Sequence, residues 1–209
     1  MAFPKVYIAD LKISEVQVLE NNISIDGVGI EVDNIKKEEL DTIVRRLNSS
    51  VEKIFVTRTI QFDNIINLID NFNEKIILQL HDLNLPIDIV YDIKKHFKHV
   101  QFIAPVNVNF ADAIDKAKQL DEIVDYLFIC AQHKEESKLI DNWHKAALIN
   151  LQTKKPIILG GSLNEKNIKQ AVEIVKPFAV STISGVRYLG NLSHNKLNSF
   201  LQNIKTLEV

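Results

Sequence analysis

The chain has 209 residues, 46% hydrophobic and 25% charged, with a formal net charge of -2; this excludes a disordered polypeptide and leaves no basic footprint for a nucleic-acid partner. One cysteine excludes a disulfide framework and a Cys-based zinc site, so the expected compartment is cytoplasmic. No apolar run reaches the roughly 18 residues needed to cross a bilayer, and no signal-peptide pattern opens the chain, so no membrane partner is expected.

Short apolar runs alternate with amphipathic stretches throughout. The runs are Val6–Ile8, Val28–Ile30, Ile54–Val56, Ile76–Leu78, Val100–Ile103, Tyr126–Ile129, Pro156–Leu159 and Phe178–Val180. Their length and apolar character fit strands covered on both faces, as in a parallel sheet. Between them, Leu40, Ile43, Val44 and Leu47 share one helical face. Ile65, Ile66, Leu68 and Ile69 repeat the pattern, as do Ile168, Ala171, Val172 and Val175. A last helix is expected over Lys196–Ile204, capped by Ser193 or Asn195. No Pro- or Ser-rich linker divides the chain, so 1–209 reads as a single domain. Eight strand–helix units give roughly 26 residues each, enough for one strand, one helix and two short loops. The expected fold is therefore α/β, a single-domain (β/α)8 TIM barrel. An open doubly wound sheet is the competitor, but it often carries glycines in its first turn, and Ala9-Asp10-Leu11-Lys12 has none.

In such a barrel the site lies at the C-terminal strand ends, and a phosphate site is often built after strands seven and eight. Those loops read Gly160-Gly161-Ser162 and Ser184-Gly185-Val186-Arg187. Glycines let backbone N–H groups approach an anion, and Arg187 adds charge. The expected phosphate-binding set is Gly160, Gly161, Ser184, Gly185 and Arg187, against the plain alternative that the glycines only make turns. Alternation places Gln79 and His81 on one face of the fourth strand, and Gly27, Gly29 and Glu31 together on the second, with Glu31 at the mouth. Tyr126, Phe128 and Cys130 share the inward face of the sixth strand, and Asp10 and Arg58 lie near the ends of the first and third. A His at a strand end also serves as hydrogen-bonded scaffold, and a lone Cys as a small buried hydrophobe. No His, Cys or carboxylate spacing matches a metal site, and no cofactor is expected.

These residues resemble the phosphoribosylanthranilate isomerase family. Ile157-Ile158-Leu159-Gly160-Gly161-Ser162-Leu163-Asn164 is similar to that family's phosphate loop, with Asn167 continuing it, and Val180 to Val186 is similar to its second phosphate segment. Leu78-Gln79-Leu80-His81, Phe55-Val56 and Asp125 to Ile129 fall where related motifs stand. The resemblance implies a sugar-phosphate-type small-molecule ligand and tryptophan biosynthesis. The implied reaction is an intramolecular aldose–ketose isomerisation, an Amadori rearrangement that needs a general acid at the ring oxygen and a general base at C2.

The family's base, a Cys ending the first strand, is matched here by Ala9, and its acid, an Asp ending the sixth, by Cys130. Its arginine-bearing loop after strand two is matched by Val32 to Lys37, without an arginine, and Arg187 stands where it keeps a Glu. Candidate catalytic groups are then Cys130, Glu31, His81 and Asp10, although strand alternation directs Asp10 away from the mouth. A phosphate-binding barrel without chemistry and a different reaction on a sugar or heterocycle phosphate are the alternative readings. The oligomeric state is left open.

Overall fold

A strand covered by helices on one side and a barrel interior on the other must carry two apolar sets, and the strands here sort that way. The computed structural model describes residues 3–20, 24–59, 61–70, 76–84 and 86–207. Val6, Ile8, Val28, Ile30, Leu78, Leu80, Phe102, Leu127, Leu159 and Val180 pack with helix residues such as Ile43, Ile93, Trp143 and Phe200 in one large core. Tyr7, Ile54, Ile103, Phe128, Ile158 and Ala179 form a second cluster inside the ring.

The strands are β1 (Lys5–Ile8), β2 (Gly27–Glu31), β3 (Glu52–Thr57), β4 (Ile77–Leu80), β5 (Gln101–Asn107), β6 (Tyr126–Cys130), β7 (Ile157–Gly160) and β8 (Ala179–Thr182). They close in chain order into a parallel barrel. The seam pairs β1 with β8, from Lys5 against Ala179 to Ile8 against Thr182. The fold is the single-domain (β/α)8 TIM barrel that the alternating runs require, with no edge strand left in the ring.

The helices are α1 (Val16–Glu20, after a 3-10 turn at Ile13–Glu15), α2 (Lys37–Arg46), α3 (Phe62–Asp70), α4 (Ile87–His96), α5 (Ala113–Asp121), α6 (Glu136–Gln152), α7 (Ile168–Val175) and α8 (His194–Lys205). Leu40 and Ile43 on α2, and Ile168, Ala171, Val172 and Val175 on α7, bury the faces their spacing marks. Ile65 and Ile69 on α3 are buried as well; the side chain of Leu68 lies outside the described residues. Of the two expected caps for α8, Ser193 is the one used, accepting from the Lys196 amide.

β5 runs past the expected Ile103 and through Pro105, a residue that ordinarily removes a ladder bond. The Phe102 carbonyl accepts from Asp125 at the start of β6, whereas the Gln101 amide donates to Ile76 at the start of β4. Even-numbered positions therefore face β6 and odd ones face β4. The pairing with β4 ends at Ile103. The nitrogen of Pro105 faces β4 and, with no N–H to donate, ends that side of the ladder.

At the N-terminal end of the ring, Tyr7 Oη donates to Glu52 Oε2 at 2.7 Å and Lys5 Nζ reaches Glu52 Oε1 at 2.5 Å. Burial, and then this bond, raise the Tyr7 hydroxyl pKa, so it stays a neutral donor. The sequence reading also omits a short antiparallel hairpin after β8, β9 (Arg187–Tyr188) and β10 (Asn191–Leu192).

Candidate active site at the barrel mouth

Parallel strands that all point one way bring the residues after their C-terminal ends to one place. Here they surround a cavity of about 290 Å³. Val56, Gln79, Phe128 and Ser181 come to it from β3, β4, β6 and β8. Gly161, Ser162 and Leu163 after β7, with Ile183 and Ser184 after β8, line one wall. Glu31 and Arg58, at the ends of β2 and β3, also line it. β3 and β7 are four places apart in a ring of eight, so Arg58 enters from the side opposite the β7 loop.

Two glycines of the expected phosphate set shape that wall by what they leave out. Gly161 has φ +95, a conformation L side chains rarely adopt, and a Cβ there would sit 2.8 Å from the Gln132 nitrogen. Gly185 lets the two loops touch: it bridges to Asn164, and a Cβ would lie 2.0 Å from the Leu163 carbonyl oxygen. Ser184 lines the cavity, while Gly160 ends β7 with the space of its missing side chain filled by the Phe128 ring. Asn167 bonds the Asn164 amide and the Ser162 carbonyl, fixing the turn into α7.

Arg187 sits elsewhere. It is buried against Glu15, whose carboxylate accepts from Nε at 3.0 Å and from Nη2 at 2.9 Å. Its remaining donors reach the carbonyls of Ala9, Asp10 and Ile183. An arginine ending in this cage has no donor left to point at the cavity, because Glu15 and the Ala9, Asp10 and Ile183 carbonyls take them all. Burial alone would raise the Glu15 carboxyl, but the Arg187 bonds, with those from the Lys12 and Leu192 amides, outweigh it and hold it below its ordinary value.

Asp10 departs from strict alternation in the other direction. Ala9 lines the cavity, and its neighbour should face away. Asp10 has φ +56, however, and this left-handed turn carries it to the cavity as well. Asp is among the few side chains that tolerate that region.

Glu31 accepts from Arg58 Nε at 3.0 Å. The Arg58 amide in turn donates to Asp33 at 2.7 Å, and Thr57 also donates to Asp33, so the loops after β2 and β3 are tied together. The Gln79 amide nitrogen lies 3.0 Å from His81 Nδ1. With that nitrogen as donor, Nδ1 accepts and the ring proton sits on Nε2. Burial, then the nearby Arg58 charge, lower the His81 pKa below its ordinary 6.5, against a smaller opposing pull from Glu31. His81 is therefore neutral at pH 7.

Cys130 ends β6 beside Phe128 on the inner face, as alternation requires, but Phe128 is the β6 residue that lines the cavity. Burial raises its thiol pKa more than a bond from the Gln132 amide lowers it, so it stays protonated at pH 7. Ser162, Ser181, Thr182 and Gln132 also line the cavity, although none belongs to the expected site set. Alternation offered a signal for Ser181, two residues before Ile183. Gln132 follows a strand end with no distinguishing pattern. Among the described residues, no group of three His, Cys, Asp or Glu could hold a metal ion, and no helix is long and apolar enough to cross a membrane.

No family model matches the chain. Several curated relatives cover most of it. N-(5'-phosphoribosyl)anthranilate isomerase of Thermoanaerobacter pseudethanolicus is 25% identical over 205 residues, spanning 96% of this chain and 98% of its own. Isomerase 2 of Methanosarcina mazei is 23% identical over 195 residues, 88% of this chain and 85% of its own. Among solved structures, phosphoribosyl anthranilate isomerase from Thermotoga maritima matches 98% of this chain and all of its own, with a TM-score of 0.76 at 21% identity. Another such isomerase, at TM-score 0.75 and 21% identity over the same shares, is in complex with reduced 1-(o-carboxyphenylamino)-1-deoxyribulose 5-phosphate. In its motifs, its closed barrel and its near full-length relatives, the chain is similar to phosphoribosylanthranilate isomerases.

Proposed function

We propose that the barrel binds a phosphoribosyl-type ligand and acts on it as a phosphoribosylanthranilate isomerase-like enzyme in tryptophan biosynthesis. The carrying observation is one cavity with the two glycine loops on one side and a cation, Arg58, entering from the opposite side. The phosphate sits against Gly161, Ser162 and Ser184, with backbone N–H groups and the Ser184 hydroxyl as its donors. Arg58 meets the carboxylate of the aromatic part, replacing from β3 the arginine that Val32 to Lys37 lacks.

In the isomerisation, a proton is delivered to the ring oxygen and one is removed from C2. Ala9 can do neither. Asp10, brought to the cavity by its left-handed turn, takes the base role, and Glu31 is the second carboxylate in reach of a ligand there. His81, neutral with its proton on Nε2, delivers that proton to the ring oxygen as Asp10 takes the one from C2, and the two groups are reset by proton exchange with solvent. Cys130, a protonated thiol, is left out of proton transfer at pH 7.

The test is turnover of phosphoribosylanthranilate by the purified protein, together with rescue of a tryptophan auxotroph lacking the isomerase. Turnover abolished by Asp10→Asn supports the assignment. A second reading, a barrel that binds the ligand without converting it, is favoured by Ala9 and Cys130 standing at the positions that resemble the family's base and acid. It predicts saturable calorimetric binding with no turnover and no rescue.

A further inference from the structure

The ring closes where the last strand meets the first, and no chain connection holds that seam. β1 and β8 pair up to Ile8 and Thr182, and above them each chain leaves for its own loop. The loop after β1 contributes Ala9 and Asp10 to the cavity, and the loop after β8 contributes Ile183 and Ser184. The Arg187 side chain bonds the backbone of both loops at the seam. Arg187 Nη2 donates to the Asp10 carbonyl at 2.7 Å, Nη1 to the Ile183 carbonyl at 2.7 Å, and both nitrogens reach the Ala9 carbonyl at 3.2–3.3 Å.

We propose that Arg187 is a positioning residue that sets the left-handed turn at Asp10 and the placement of Ser184, and so shapes the mouth from both sides of the seam. Glu15 is its counter-charge: it fills the rest of the guanidinium fork and also accepts from the Lys12 and Leu192 amides, which anchors the first loop and the hairpin to the same point. The pair is almost wholly enclosed, with side chains 6% and 3% exposed. A buried ion pair is a poor device for stability alone, because desolvation offsets much of its attraction. What this one adds is geometric. A planar fork fixes several acceptors in one plane, which a lysine cannot do. Asp10, in a conformation uncommon for a residue with a side chain, is held by a bond to its own carbonyl.

The ligand-binding arm of the test rests on the proposed phosphate site, and the structural arm does not. Arg187→Met removes the fork at similar length; Arg187→Lys keeps the charge beside Glu15 and is the variant expected to fold if the first does not. Crystal structures are expected to show Asp10 out of the left-handed region and its carboxylate out of the cavity. Calorimetry with ribose 5-phosphate is expected to show affinity reduced about tenfold in both variants, as for the loss of one well-formed hydrogen bond. Arg187→Lys is expected to keep most of the melting temperature while losing that affinity, a split that a purely structural brace would not give. Asp10 unchanged in the crystal of a folded variant, with affinity within twofold of the parent, overturns the proposal. Failure of the parent protein to bind ribose 5-phosphate overturns the phosphate reading instead, and the Asp10 backbone then decides this one.

Discussion

Residue 10 lines the cavity although alternation directs it away, because the backbone there is left-handed, and a carboxylate at position 15 stays charged in a buried place because Arg187 faces it. Each fact carries a prediction. Asp10→Asn keeps a side chain that tolerates the left-handed region but cannot take a proton. It should lower kcat by roughly 10²–10⁴-fold, as for loss of a positioned base, with ribose 5-phosphate affinity within about twofold. Steady-state kinetics beside calorimetry checks this; equal loss of both points to a binding role. Glu15 has a folded pKa below its ordinary 4.5. Its stabilisation is fully present above that value and is lost as pH falls through the lower, folded one. Urea midpoints measured from pH 6 down to 3 should therefore fall more steeply in the parent than in Glu15→Gln. Glu15→Ala, which strands Arg187, should cost roughly 3–5 kcal/mol at pH 7. A thiol raised by burial is a slow nucleophile, so Cys130 should react with iodoacetamide at pH 7 well below the rate of free cysteine.

At the scale of elements, two backbone details decide the outcome of substitutions. α7 ends on Lys176 at φ +51, where a side chain is strained and glycine is not. Lys176→Gly should stabilise by about 0.5–1 kcal/mol, read from urea denaturation, since it relieves that strain without touching the core. The loops after β7 and β8 meet at Gly185 with no room for a methyl group. Gly185→Ala should destabilise by about 1–3 kcal/mol and part the loops, with weaker phosphate binding. Charge tests of the cradle therefore belong at Ser184, which has space, and not at Gly185.

The same elements show what the sequence discloses. The apolar runs mark every strand of the ring because strands buried on both faces cannot be polar, and alternation places Glu31, Gln79, His81 and Cys130 on the inner face. It stops being informative where backbone conformation changes. Asp10 breaks the alternation with one left-handed residue, and Arg187, two residues past Gly185, is drawn into a cage whose other members are main-chain carbonyls. Carbonyls carry no sequence signal, and Glu15 lies 172 residues away. β5 passes through Pro105 because its ladder with β6 continues to Asn107 after the one with β4 has ended at Ile103.

For the molecule as a whole, the ring has the loops after β7 and β8 on one side of its mouth and Arg58 on the opposite one. Arg58→Met should separate the two ends. It should weaken a carboxylate-bearing phosphoribosyl ligand about tenfold, as for a charge-assisted hydrogen bond, and leave ribose 5-phosphate within about twofold. The most direct test of the central claim is a calorimetric titration of the parent and Ser184→Asp proteins with ribose 5-phosphate. A phosphate site at the loops after β7 and β8 predicts saturable binding to the parent and its loss in Ser184→Asp, where a carboxylate would meet the phosphate. No binding to the parent, or equal binding to both, would contradict it.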